Sequence, residues 1–165
     1  MLLTLFLSVV FIAGMALMLI SAIAFVQDIR LFASAPQEAR EVLKQREEEP
    51  FYGARKIGWT LMIVSCLMIL GAFVIGAWDG IRSGFTLWQF FARFLVMLTV
   101  YKLCDMILID YFLLLRSHFF QHYYPETEEV MAGRKYGFNI KSQLLKLFVI
   151  FPAVSALAAW ACTLF

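Results

Sequence analysis

The chain has 165 residues, of which 62% are hydrophobic and 16% are charged, and its mean hydropathy is +0.80. Soluble domains carry about 25% charged residues, so this composition excludes a soluble globular domain and indicates an integral membrane protein. The formal charge is only +2, and the basic residues are dispersed among acidic ones. That pattern excludes a nucleic-acid partner and leaves membrane lipid as the partner that we expect.

Four long apolar stretches predict four transmembrane helices. Three of them are almost free of charge, and each is long enough to cross a bilayer, which takes about 20 apolar residues in a helix. We predict an all-α integral membrane protein, an antiparallel four-transmembrane-helix bundle with a short cytoplasmic helix between helices one and two. The single transmembrane domain, 1–165, has spans at about 2–26, 57–78, 87–115 and 144–165, with cytoplasmic loops 27–56 and 116–143.

The first stretch, 2–26, is interpreted as a retained helix and not as a cleaved secretory signal. It has no basic residue at its start, and its apolar run is longer than the 7 to 15 residues, roughly, of a signal peptide. In the loop that follows, Ser34 and Gln37 have the spacing of a capping box, and Pro50 limits the helix to about Glu48. We expect this helix to lie on the membrane surface, on a neighbouring subunit, or in solvent as a linker.

The basic residues predict the orientation in the membrane. Eleven Lys and Arg lie in or beside loops 27–56 and 116–143, whereas the loop between the second and third spans has Arg82 alone. The positive-inside rule therefore places both termini outside a plasma or cytoplasmic (inner) membrane. The tryptophans agree, because indole rings prefer the headgroup level and all four lie near predicted span ends: Trp59, Trp78, Trp88 and Trp160.

The third span differs from the others because it carries several charges. Lys102 and Asp105 are three residues apart, near the middle of the span, so they lie on one helical face and can pair. Asp110 points in another direction, where Lys146 of the fourth span is expected to reach it. Arg93 is expected to extend to the outer headgroups. The three inner charges are either structural pairs or a functional polar site, since charges inside a membrane are costly.

Two histidines follow the third span. Nothing interrupts the helical pattern before Pro125, so the third helix is expected to project into the cytoplasm as far as His122. His118 and His122 would then share one helical face, and with Glu126 nearby they have the residue types of a zinc site. The glutamate of the HExxH motif is missing, so we predict no metal and no other cofactor, and interpret the histidines as part of an interfacial aromatic belt.

Two basic pairs lie at the expected cytoplasmic headgroup level. Arg55 and Lys56 precede the second span, and Arg134 and Lys135 lie in the last loop. Each pair satisfies the positive-inside rule, and together they have the charge to hold an anionic lipid head group.

The fourth span contains Pro152, which removes a backbone hydrogen bond and predicts a kink. The small residues after it permit close approach of another helix. Three cysteines, one in each of the last three spans, are predicted to be buried core residues without disulfides: Cys66, Cys104 and Cys162.

Three functions remain open. The leading hypothesis is movement of an ion or small solute through a polar intramembrane site at Lys102, Asp105, Asp110 and Lys146. Four spans are few for an alternating-access carrier, so such a protein would work as a homo-oligomer or with a partner membrane protein. The second is a membrane enzyme or lipid-binding protein with a cytoplasm-facing site, although no catalytic motif favours an enzyme. The third is an accessory subunit whose charged helix serves assembly.

Overall fold

The computed structural model of the chain describes residues 2–32, 37–132 and 140–164; the side chains at 109–111, 114–115, 131–132 and 140–141 lie outside the description. The protein is all-helical, as predicted, with 85% of it in helices and no strand among the described residues.

The helices are numbered here in chain order. The first three are α1 (Leu2–Val26), α2 (Gln37–Val42) and α3 (Ala54–Arg82). The fourth, α4, runs from Leu87–Cys104 into a π-helical part, Asp105–Arg116. Two short helices follow, α5 (Phe119–Tyr123) and α6 (Glu128–Ala132). The last, α7, comprises Ile140–Leu145, a π-helical part Lys146–Ile150, and Phe151–Cys162.

Within the described residues, three helices are long and apolar enough to cross a membrane: Leu2–Val26, Ala54–Arg82 and Ser142–Cys162. They coincide with the predicted first, second and fourth spans, and they support a membrane location. The predicted third span, 87–115, is helical but is not one of these three, so the four-span bundle stays a prediction.

The outer surface of the long helices is apolar. Large side chains such as Leu67, Val74 and Phe148 are more than 60% exposed, which is unusual in a soluble protein and suits contact with lipid chains. The exposed residues include all four tryptophans, Trp59, Trp78, Trp88 and Trp160. Cys66 is also exposed, so its predicted burial is wrong. Its side chain lies on the outer face of α3, where a weakly polar thiol is compatible with the apolar surface.

The helix contacts are close because glycines lie between them. In α3, Gly58 meets Phe25 and Val26 at the end of α1, while Gly76 meets Leu7 near its start, so α1 and α3 are antiparallel. Gly80 of α3 faces the Phe90 ring of α4. The buried cluster between these helices and α7 contains Leu7, Phe11, Ala72, Phe90, Phe94, Met97, Leu98 and Ala159.

The hairpin between α3 and α4 is a short turn. Gly84 has a φ of 65°, a left-handed conformation that favours glycine, and Thr86 then precedes α4. The Thr86 backbone N–H donates to the Gln89 side-chain oxygen at 2.8 Å, which is one half of a capping box.

The short helix α2 ends at Val42, not near Glu48 as predicted. The reason lies in a distant segment: the Lys44 backbone N–H donates to the Glu126 carboxylate at 3.2 Å, and Leu43 is buried in a cluster with Phe120. The chain therefore leaves the helix to make tertiary contacts. The predicted capping serine, Ser34, lies outside the described residues.

The helix α4 ends at Arg116, so the prediction that it continues to His122 is wrong. His118 adopts a left-handed φ of 53°, which breaks the helix and starts the separate helix α5. The break turns Phe120 and Tyr124 back onto the end of α1, where they pack in a buried cluster with Ala22, Ile23, Phe32 and Leu43. Burial of these aromatic rings compensates for the interrupted helix.

The last helix, α7, has π-helical geometry from Lys146 to Ile150, which ends two residues before Pro152. The hydrogen-bond register thus changes close to the proline, while the predicted kink stays a prediction. Beyond it, Ser155 and Ala159 are buried, and this part of α7 packs against α4. The predicted close approach through small residues is confirmed for these two positions.

Substitution of Gly80 by Ala is expected to lower the unfolding temperature in detergent. A methyl group there would lie 2.3 Å from a ring carbon of Phe90. That ring is stacked on Phe94 and packed edge-on to Phe85, so it has little room to move. Overpacking of this kind costs about 1 to 3 kcal/mol.

Gly71 supplies the matched control, because it lies in the same helix and a methyl group there has no neighbour within 4 Å. Gly71→Ala should leave the unfolding temperature unchanged or raise it slightly. Equal unfolding temperatures for the two alanine variants would contradict the tight contact between α3 and α4.

Candidate functional site

The predicted pair of Lys102 and Asp105 is present. The ammonium and carboxylate groups are in direct contact across three residues of α4, and Lys102 is only 4% exposed. The Lys102 ammonium also lies 5.9 Å from the centre of the Tyr101 ring. Asp105 is the first residue of the π-helical part of the helix. The two charges therefore neutralise each other inside the protein.

The second predicted pair joins Asp110 to Lys146. Lys146 is half-buried in the π-helical part of α7. The Asp110 side chain lies outside the described residues, so its partner stays a prediction.

Arg93 does not extend to the outer headgroups, and that expectation is wrong. Its guanidinium is buried and donates to the Gly76 carbonyl at 2.6 Å, and it pairs with the Asp79 carboxylate at 2.8 Å. It also lies 4.3 Å from the centre of the Phe85 ring. The oxygen partners come from α3, so burial between the helices is more favourable than extension along the lipid.

The two histidines line an open groove of about 650 Å³ at the end of α4. His118 and His122 are both exposed, as is Glu128. The other lining residues are Leu113, Ser117, Phe119, Gln121 and Tyr123. No group of three or more metal-binding side chains occurs among the residues that the structure describes.

Glu126, predicted to lie beside the histidines, is not among the described residues that line the groove. Its carboxylate forms an ion pair with Arg46 at 2.7 Å. The same Arg46 nitrogen donates to the Tyr123 carbonyl at 3.3 Å, and its guanidinium carbon lies 5.5 Å from the centre of the Tyr124 ring. Arg46 therefore joins the first loop to the segment after α4. Sequence reasoning missed this role, because 80 residues separate the partners.

The predicted basic pairs are only partly described. The Arg55 guanidinium donates to the backbone carbonyls of Arg46 and Glu47 at 3.3 and 3.5 Å, so it supports the first loop. Lys56 is exposed, while Arg134 and Lys135 lie outside the described residues. Joint binding of an anionic head group by the four residues stays a prediction.

Sequence reasoning also missed two groove residues, Gln121 and Glu128. Gln121 is 8% exposed, and its side-chain oxygen has no hydrogen-bond partner within the described part of the chain. Glu128 supplies a carboxylate at the groove wall. The position of Gln121 between the two histidines, in His118-Phe-Phe-Gln121-His122, could have indicated that it belongs to the same site. Its burial could not be predicted, because a glutamine side chain is polar.

Tyr124 is fully buried beside this site. Burial raises the pKa of Tyr124 to about 12 from the usual 10.0; Arg46 lowers it in part, while Glu126 and Asp28 raise it. Its hydroxyl has no hydrogen-bond partner among the described residues. The phenol is therefore neutral at physiological pH and acts as a packing group.

Comparison of the chain with protein-family models, with curated proteins and with solved structures found no match. The proposals below therefore depend on the residues and geometry of this chain.

Substitution of Tyr124 by Phe removes a buried hydroxyl without a partner. The free energy of unfolding at pH 7 should stay constant or rise by about 1 kcal/mol. Above pH 10 the unfolded state loses the proton first, because the folded group ionises only near 12. The wild-type protein should thus lose stability as pH rises from 10 towards 12, and the Phe variant should lose less.

Denaturant unfolding in detergent at several pH values measures both effects. Tyr52→Phe is the control, since Tyr52 is fully exposed and its loss should change neither quantity. If the free energy of unfolding of Tyr124→Phe fell with pH above 10 as steeply as that of the wild type, the burial argument would be contradicted.

Proposed function

We propose that the chain is a multi-pass integral membrane protein that binds phospholipid in a cytoplasm-facing groove. In this arrangement α1, α3, α4 and α7 are the four spans of an antiparallel bundle, and both termini lie outside. The antiparallel contacts of α1 with α3, and of α3 with α4, support it. The concentration of basic residues in the first and third loops supports the orientation.

The observation that carries the proposal is the composition and position of the groove. It opens beside Ser117, immediately after the end of α4 at Arg116, so it would lie at headgroup depth if α4 spans the membrane. Its walls combine the apolar or aromatic side chains of Leu113, Phe119 and Tyr123 with imidazole, amide and carboxylate groups. Its volume of about 650 Å³ is within the usual range for a small-ligand site.

A phospholipid fits these features better than a water-soluble ligand does. The apolar wall suits the glycerol and upper acyl region, and the polar groups suit the head group. Aromatic side chains such as those of Phe119 and Tyr123 are common at this depth in membrane proteins.

The two histidines allow a direct test, because the chain contains only these two and both line the groove. In protein labelled at histidine, saturating dioctanoyl phospholipid should shift both imidazole NMR signals, whereas added detergent should not. His118→Ala assigns the signals, and its effect on affinity measures that side chain. Unchanged signals with every phospholipid would exclude binding in this groove.

Movement of an ion or small solute is the second candidate. The observation that favours it is Lys102, a buried charge in a long apolar helix, in contact with Asp105 where π-helical geometry begins. Intrahelical π geometry is frequent at functional sites, and charges within a membrane are usually functional. With Asp110 and Lys146 these residues would form the solute site, in a homo-oligomer or with a partner membrane protein.

Removal of both members of the pair tests this candidate without leaving an unpaired charge. Lys102→Met combined with Asp105→Asn should abolish potential-driven proton or cation flux into liposomes if the pair is the pathway. Lys44→Met is the control, because that lysine is exposed and outside the long helices. Absence of flux in the wild type, or wild-type flux in a folded double variant, would exclude transport through this site.

A further inference from the structure

We infer that the groove recognises the primary ammonium group of a phosphoethanolamine head group. This inference rests on the proposed lipid binding and adds the chemical class of the lipid. It follows from the charge of the groove, from the acceptors it offers and from its aromatic wall.

Among the described lining residues of the groove, the permanently charged one is acidic. Glu128 supplies a carboxylate, and no Lys or Arg is among these described residues. An additional anionic group on the head group would therefore meet a like charge without a described Lys or Arg partner, whereas an ammonium group would form a charge-assisted hydrogen bond. Glu128 is the residue that distinguishes these two classes.

Two of the neutral polar side chains, Ser117 and Gln121, offer acceptor oxygens. The Ser117 hydroxyl donates its hydrogen to the Leu113 carbonyl at 2.5 Å. Its oxygen can therefore act only as a hydrogen-bond acceptor for a ligand. Gln121 is more than nine-tenths buried, and its side-chain oxygen has no partner within the described residues. Gln121 is itself a lining residue of the groove, and an N–H donor that reached its side-chain oxygen would satisfy it.

The need for N–H donors selects a primary ammonium over a quaternary one. A choline group has no N–H bond, so it would leave the Gln121 oxygen unpaired and would contact Glu128 only as a bulky charge. The faces of Phe119 and Tyr123, whose ring centres are 5.3 Å apart, add a surface that attracts either kind of cation. The phosphate of the same head group has the two exposed imidazoles, His118 and His122, as hydrogen-bond partners.

A metal ion fits the groove less well than an organic cation. The described residues contain no group of three His, Cys, Asp or Glu side chains close enough to hold an ion. The open volume, about 650 Å³, is also far larger than a coordination sphere.

The experiment compares head groups on one acyl chain. Histidine-labelled protein in detergent is titrated with dioctanoyl phosphatidylethanolamine, phosphatidylcholine and phosphatidylglycerol, and with free phosphoethanolamine, and the two imidazole signals are followed. Phosphatidylethanolamine should bind about tenfold or more tightly than the other two lipids, as expected for one charge-assisted hydrogen bond. Free phosphoethanolamine should bind more weakly, because it lacks the apolar part.

The matched variants are Glu128→Gln and Glu129→Gln. Both residues are exposed in α6, but only Glu128 lines the groove. The first should reduce the affinity for phosphatidylethanolamine about tenfold and leave that for phosphatidylcholine within about twofold, and the second should change neither. Gel filtration establishes that both variants remain folded.

The outcomes separate the two proposals. Phosphatidylglycerol or phosphatidylcholine binding as tightly as phosphatidylethanolamine would overturn the ammonium inference and leave lipid binding intact. Free phosphoethanolamine binding as tightly as the lipid would show that the ligand is a soluble amine. No response to any of the lipids would overturn both proposals.

Discussion

The structure depends on keeping the charges of α4 away from the apolar surface. Arg93 and Lys102 are both buried inside the protein, each in contact with a carboxylate. They are nine residues apart, about two and a half helical turns, so they lie on opposite sides of α4, and each charge is buried against its own carboxylate. The same helix also packs on α1 and α7, so both charges are held within the contacts between helices.

Ion pairs between different segments hold the helices together at two places. At one end, Arg93 takes its oxygen partners from α3, next to the glycines that let the helices approach. At the other end, Arg46 joins the first loop to Glu126, and the aromatic cluster beneath that pair covers the end of α1. The groove with the two histidines is lined by residues on both sides of His118, so its shape depends on the break in the helix there.

The candidate site was partly predictable from the sequence. Contacts between residues close in the chain were predicted, whereas contacts between distant residues were not. The contact of Lys102 with Asp105 follows from helical spacing alone, because residues three apart share a face. The pairing of Arg93 with Asp79 was not predicted, since it requires the hairpin between α3 and α4 to be packed. The histidines were identified as neighbours, but the groove also needs Gln121 and Glu128, whose roles appear only after α4 is interrupted.

The sequence by itself determined the helical class, three of the long apolar helices and the local ion pair, because composition and the helical period act within one segment. Only the tertiary structure decided where α2 and α4 end, and where Arg93 and Glu126 find their partners. After α2, the Lys44 backbone amide forms a hydrogen bond with Glu126 of a distant segment. After α4, the rings of Phe120 and Tyr124 are buried against the end of α1. These contacts are more favourable than another helical turn. Such gains depend on packing between residues far apart in the chain, which periodicity does not report.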